Sequence, residues 1–151
     1  MVLKQLKKQG GFTLLELLIV IVIIGILALL ILPNITSAPK KARDTKRKTD
    51  ILAIQKGLEE YFVNNNVYPD TQALMITDLQ AGTAPIMKAV PTDPTNVAPY
   101  VYTYVAANTD TTYTLSACLE NSGDNGTDVI APASSNNTAC ANKVFQVVNA
   151  N

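Results

Sequence analysis

The chain has 151 residues, 12 basic and 12 acidic side chains, and a formal net charge of zero. That length suits one small domain beside an N-terminal segment. The sequence contains two cysteines and no histidine, which excludes a histidine-based catalytic or metal site and leaves too few thiolates for a structural zinc site. Neither a phosphate-binding glycine loop nor a GxSxG motif occurs, so we predict that the protein is not an enzyme.

The N-terminal segment joins a short basic stretch to a long apolar run. Three lysines and two glycines precede residues 12–32, and these 21 residues are interrupted only by Thr13, Glu16 and Gly25. As a helix the run is about 31 Å long, enough to cross a bilayer core of about 30 Å. A carboxylate near the bilayer centre costs roughly 2.5–3.5 kcal/mol, so we expect Glu16 to have a partner.

The same residues carry a resemblance to a known family. A basic stretch, then Gly11, then Phe12-Thr13-Leu14-Leu15-Glu16 and an apolar helix is similar to the N-terminal motif of type IV prepilins and type II secretion pseudopilins. The resemblance implies that a membrane peptidase cleaves after Gly11 and that the new terminus, Phe12, is N-methylated. It also implies that Glu16 is the acidic residue of the motif. Pro33 matches a proline that many pilins have, and a proline inside a helix predicts a bend.

Cleavage after Gly11 would create a positive amine at Phe12, one helical turn from Glu16. Glu16 would pair with this amine in its own chain or in a neighbouring chain, where the pairing would favour docking of a second subunit. The alternative is that Glu16 only lies at the level of the lipid headgroups. The basic leader predicts a cytoplasmic N-terminus, but more basic residues follow the apolar run. The motif and the cysteines predict that the residues after the apolar run lie outside the cytoplasm.

A second helical pattern follows the apolar run. Apolar residues at three- and four-residue steps, namely Ile51, Ile54, Leu58, Tyr61 and Phe62, form one stripe of a helix that extends from residue 40 to residue 62. Asparagines 64–66 predict its end. The predicted organisation is a leader peptide over 1–11, a transmembrane and assembly helix over 12–32, the second half of the long helix over 33–63, and a globular head over 64–151.

The head contains signals for a short helix and three strands. The helix is predicted over residues 71–80, and the strands over 100–105, 113–119 and 144–148, with a hairpin turn at 108–110. The predicted fold class is α+β. A long N-terminal helix, whose first half spans the membrane and which bends near Pro33, packs on a small antiparallel β-sheet head, as in type IV pilins.

Cysteines in an exported domain are expected to form a disulfide, here between Cys118 and Cys140. The alternative is two buried free thiols. The bond would close the disulfide-bounded loop, residues 118–140, and would contribute about 3 kcal/mol in the chain-entropy model.

Four residues of this loop have side-chain oxygens of the kind that calcium binds: Glu120, Asp124, Asn125 and Asp128. Their spacing does not match an EF-hand loop. The resemblance implies calcium binding near this region in some family members. The preferred interpretation is a solvated loop, with no metal site and no cofactor.

The predicted function is that of a structural subunit of a type IV pilus-like filament, assembled through its N-terminal helix. The resemblance implies the following partners: copies of the chain, minor pilins, the prepilin peptidase and methyltransferase, and an assembly ATPase with its membrane platform. The precursor would lie in the cytoplasmic membrane with its head outside, and the assembled filament would be extracellular or on the cell surface. Alternatives are a type II secretion pseudopilin and a membrane-anchored adhesin or DNA-uptake protein. Residues 61–151 include seven acidic residues and two lysines, which argues against nucleic-acid binding except in a competence pilin.

Overall fold

The computed structural model describes residues 11–106, 111–132, 135, 137 and 139–149. These residues form two helices and four strands, as follows: α1 Leu14–Asn65, α2 Gln72–Leu79, β1 Thr103–Ala106, β2 Tyr113–Leu119, β3 Val129–Ile130 and β4 Lys143–Asn149. The chain divides into two compact units, Met1–Ser37 and Ala38–Asn151. A long N-terminal helix and a small antiparallel sheet confirm the predicted fold class.

The described part of the first unit consists mainly of the start of α1, which has 52 residues in all. Every side chain from residue 11 to residue 29 is exposed, although most of them are large and apolar. The helical backbone continues through Pro33, and the bend at that residue stays a prediction. In the part of the chain that the structure describes, no helix combines the length and hydropathy needed to cross a membrane.

The second unit, Ala38–Asn151, is called the head from here on, so the head includes the second half of α1. It has an apolar core between α1 and the sheet. The predicted stripe of Ile51, Ile54 and Leu58 is 0–1% exposed. This stripe belongs to one apolar cluster with side chains from α2, from the strands and from the segments that connect these elements. Gly57 allows a close approach on this side, because a Cβ there would lie 3.0 Å from the sulfur of Met87. Burial of an apolar stripe against a sheet is the main force expected to hold such a helix in place.

Polar side chains mark the end of α1 and the start of α2, and only the first of these two signals was predicted. Asn66 adopts a left-handed φ of 59° directly after α1 ends, as asparagine tolerates well. The side chain of Thr71 accepts a hydrogen bond from the N–H of Leu74 and so caps the start of α2.

The sheet has the strand order β1-β2-β4-β3, and all neighbouring strands are antiparallel. Two details differ from the sequence prediction, and a third is untested. The first strand begins at Thr103, not at residue 100, because the N–H of Tyr100 donates to the carbonyl of Val97 in a turn. The short strand β3 was not predicted, since it lies in a polar stretch of the disulfide-bounded loop. The predicted turn at 108–110 lies outside the described residues.

Candidate functional site: the start of the long helix and the Arg47 cluster

The start of α1 is closed by reciprocal hydrogen bonds between Thr13 and Glu16. The Glu16 carboxylate accepts from the N–H of Thr13 at 2.9 Å and from its hydroxyl at 2.8 Å. The Thr13 hydroxyl oxygen accepts from the N–H of Glu16 at 3.2 Å. This is a capping box, in which both residues satisfy backbone donors that have no partner within the helix. The carboxylate is therefore held beside the residue that follows Phe12.

The predicted partner of Glu16 is the amine of Phe12. In the uncleaved chain that nitrogen is part of a peptide bond, and the carboxylate bonds to Thr13 instead. Pairing with the Phe12 amine stays a prediction for the cleaved chain, as do cleavage after Gly11 and methylation of Phe12. The sequence analysis missed the role of Thr13, although the Thr-x-x-Glu spacing is the pattern of a capping box.

The head contains a buried arginine surrounded by three carboxylates: Arg47, Asp44, Asp93 and Glu120, here called the Arg47 cluster. The Arg47 side chain is 0% exposed. Its guanidinium donates to both carboxylate oxygens of Asp93, at 2.7 and 3.1 Å. It also donates at 2.8 Å to Asp44 and at 2.8 Å to Glu120. The cluster joins α1 to two segments that are distant in sequence.

Further contacts complete the environment of the guanidinium. Arg47 donates to the hydroxyl of Thr95 at 3.1 Å. The Cζ atom of Arg47 lies 4.7 Å from the centroid of the Tyr100 ring. Arg43, one turn earlier on α1, donates to both oxygens of Glu120 at 2.7 and 2.6 Å. A buried guanidinium is tolerated when its donors are all used in this way, because an unpaired buried charge is very costly.

The position of Arg47 follows from the helical period. Arg47 lies four residues before Ile51, so it extends the inward stripe of Ile51, Ile54 and Leu58 by one turn. This spacing is the signal that would have placed Arg47 inside the head, and the sequence analysis did not use it.

The ion pairs shift the acidity of the groups in the cluster. Hydrogen bonds from Arg43 and then Arg47 lower the pKa of Glu120 from 4.5 to about 2, although burial acts in the opposite direction. Burial alone would lower the pKa of Arg47, but hydrogen bonds to Asp93, Glu120 and Asp44 raise that pKa above its usual range. Both groups are therefore charged over the whole physiological range.

Two of the four residues considered as calcium ligands are paired with cations of α1. Glu120 pairs with Arg43 and Arg47, while Asp124 accepts from the ammonium of Lys48 at 2.6 Å. The side chains of Asn125 and Asp128 are exposed. Among the described residues, no three acidic or thiol side chains come together where they could hold a metal ion.

The ends of the disulfide-bounded loop are fixed by covalent and polar contacts. A disulfide joins Cys118 to Cys140, whose Cα atoms are 5.6 Å apart. After Cys118 the chain turns past Asp44, whose carboxylate accepts from the N–H groups of Glu120 and Asn121, each at 2.9 Å. The same carboxylate therefore holds Arg47 and the start of the loop.

A polar cavity of about 360 Å³ lies between α1 and the first part of this loop. The residues that line it are Lys41, Asp44, Thr45, Lys48, Asn121, Gly123, Asp124 and Asn125. Two of its charged side chains, Lys48 and Asp124, are paired with each other. The hydrogen bond from Lys48, together with the N–H of Gly126, lowers the pKa of Asp124.

Comparison with known proteins assigns the two parts of the chain. Residues 6–32 match the prokaryotic N-terminal methylation motif. Residues 34–132 match the family described as type II secretion system (T2SS), protein G. The chain belongs to the type II secretion system protein G family. The resemblance to prepilins and pseudopilins is thereby confirmed, and the pseudopilin alternative has stronger support than the type IV pilus subunit.

Individual relatives carry the same name. The chain is 39% identical over 100 residues to the type II secretion system core protein G of Vibrio cholerae, covering 66% of this chain and 60% of that protein. It is 43% identical over 82 residues to the core protein G of Escherichia coli, covering 54% and 57%. It is 47% identical over 68 residues to that of Aeromonas hydrophila, covering 45% and 48%. The matches thus span between about half and three fifths of these relatives.

Proposed function

We propose that the chain is a pseudopilin, a structural subunit of a short filament in a type II secretion system. The observation that supports this proposal is the pair of family matches, over residues 6–32 and 34–132. Together these matches cover most of the chain. Relatives named as core proteins of a secretion system fit a structural role, and we assign the chain no catalytic activity and no cofactor.

The start of α1 is the proposed assembly element. Its apolar side chains from residue 12 to residue 29 are exposed, whereas the head has its own buried core. A helix that is apolar all round is normally covered by lipid or by other helices. In the proposal, lipid covers it in the precursor and the helices of other subunits cover it in the filament.

Processing would prepare this helix for assembly. Cleavage after Gly11 would free the Phe12 amine for methylation, and Glu16 would then lie within one turn of that amine. The Thr13–Glu16 capping box supports this step, since it already holds the carboxylate at the start of the helix. A carboxylate at a helix N-terminus is also favoured by the helix dipole.

The proposed partners follow from this role. They are copies of the chain, minor pilins, the prepilin peptidase and methyltransferase, and the assembly ATPase with its membrane platform. The precursor would be anchored in the cytoplasmic membrane with its head outside, and the filament would extend from that membrane toward the cell surface.

Deletion of the gene in its own bacterium tests the proposal. We expect the amount of secreted enzymes in the culture medium to fall strongly, and a plasmid copy to restore it. A Glu16→Ala copy should restore the membrane-bound precursor but not secretion. Normal secretion together with loss of surface pili would support the type IV pilus subunit, and loss of attachment or of DNA uptake alone would support the adhesin or uptake protein.

A further inference from the structure

Two carboxylates of the loop that follows β2, those of Glu120 and Asp124, are already occupied by the side chains of α1. Both oxygens of Glu120 accept from Arg43, and one of them also accepts from Arg47. One oxygen of Asp124 accepts from Lys48, and the other accepts from the N–H of Gly126 at 3.0 Å. Calcium needs six to eight oxygen ligands, and these oxygens are not available to it.

Lys48 lies inside the curve of the loop. A Cβ placed on Gly126 would be 3.5 Å from the ammonium of Lys48 and 3.2 Å from an Asp124 oxygen, so the chain turns closely around this pair. On its other side the ammonium lies 5.7 Å from the centroid of the Phe145 ring. The positive charge therefore occupies the centre of the turn, where a bound cation would otherwise neutralise Asp124.

We propose that residues 120–128, here called the acidic turn, are held by cations that α1 supplies, with Lys48 in the place of a divalent metal ion. Arg43 and Arg47 fix Glu120 at the start of the acidic turn, and Lys48 fixes Asp124 at its centre. The disulfide closes the larger loop in which the acidic turn lies. The calcium binding that the family resemblance implies near this region does not fit this donor set, so we expect the acidic turn to keep its order without calcium.

The pairing also gives the acidic turn a different kind of control. A bound metal ion leaves when its concentration falls, whereas a lysine ammonium is fixed to the chain at constant local concentration. The order of the acidic turn should therefore not depend on the calcium concentration outside the cell. This inference concerns the head alone and does not depend on which filament the chain builds.

Amide hydrogen exchange of the full chain in detergent tests the proposal. Peptides that cover the acidic turn are followed by mass spectrometry in calcium chloride and in a calcium chelator. We expect the same exchange rates in both conditions. Lys48→Met should raise exchange of the acidic turn about tenfold, because it leaves a partly buried carboxylate without its partner. Lys48→Arg, which keeps the charge, should preserve slow exchange.

Lys56→Met provides the matched control, since it removes an exposed lysine from the same helix. Its exchange in the acidic turn should equal that of the unchanged chain. Slower exchange of the unchanged chain in calcium than in chelator would overturn the proposal, and so would unaltered exchange in folded Lys48→Met. If Lys48→Met does not fold, the comparison of calcium with chelator in the unchanged chain still decides.

Discussion

Two isoleucines of the same helix have opposite surroundings. Ile23 in the first unit is 51% exposed, whereas Ile51 in the head is 0% exposed. Both lie in helical turns of similar backbone geometry, so the difference comes from what the rest of the chain provides. The head encloses its apolar stripe, and within the described residues nothing encloses the apolar surface of the first unit. This difference supports the proposal that lipid or other subunits cover the apolar surface of the first unit.

Charged residues of the two units also differ in burial and in the number of their partners. Glu16 is exposed and bonded to a residue three positions away, while Arg47 is buried among carboxylates from three segments. A locally capped glutamate can change partners when the chain is cleaved. An arginine with all its donors engaged cannot, because an unpaired buried charge would result.

Replacing Arg47 should have the largest effect on the head. Arg47→Met leaves three carboxylates without their common partner, and we expect a loss of about 3–5 kcal/mol in the free energy of unfolding. Chemical denaturation of the full chain in detergent measures this. Arg43→Met is the comparison, since its side chain is 39% exposed and its loss should be smaller. Equal losses would show that Arg47 is no more than a surface pair.

A matched pair of alanine substitutions tests the contrast between the two units. Ile51→Ala should cost about 2–5 kcal/mol of the free energy of unfolding of the head, because it leaves a cavity in the core. Ile23→Ala should change that quantity by less than about 0.5 kcal/mol, since its side chain is exposed in the single chain. The same denaturation experiment measures both, and similar losses would contradict the assigned burial.

Reduction of the disulfide between Cys118 and Cys140 should have an intermediate effect. We expect a loss of about 3 kcal/mol, chiefly through greater freedom of the unfolded chain. Limited proteolysis should then cut residues 120–139 before the rest of the head. The helix from residue 51 to residue 62 should stay protected, since its apolar stripe holds it. Early cutting of that helix would show that the disulfide supports the whole core.

Acidification should destabilise the head through Glu120. The pKa of Glu120 is lower in the folded chain, about 2, than its ordinary value of 4.5. The unfolded chain therefore binds more protons in this interval, and the stabilisation present above pH 4.5 is lost as the pH falls toward about 2. Thermal unfolding at a series of pH values measures the loss. Glu120→Gln should flatten this part of the profile, and an unaltered slope would contradict the pairing.

The sequence predicted those features of the fold that depend on local patterns. The stripe of Ile51, Ile54 and Leu58 predicted the buried helix face, and the strand signals over 113–119 and 144–148 predicted β2 and β4. The Arg47 cluster was not predicted, because Asp93 lies 46 residues and Glu120 lies 73 residues from Arg47. Helical spacing places the arginine inside the head, but it does not name partners that depend on tertiary contacts.

The acidic residues of the loop illustrate the same limit. From the sequence alone, the carboxylates of Glu120 and Asp124 are equally compatible with a metal site and with exposure to solvent. Only the packing of α1 against the loop supplies Arg43 and Lys48 as partners. At the start of α1, by contrast, Thr13 and Glu16 are near neighbours. Their Thr-x-x-Glu spacing alone is enough to predict the capping box.

In the proposed function, the chain is processed and then assembled through the exposed start of α1. Mass spectrometry of filaments isolated from the bacterium tests both steps. We expect the assembled chain to begin at Phe12 with one N-methyl group, and no chain in the filament to retain Gly11. Filaments composed of chains that still begin at Met1 would contradict this proposal.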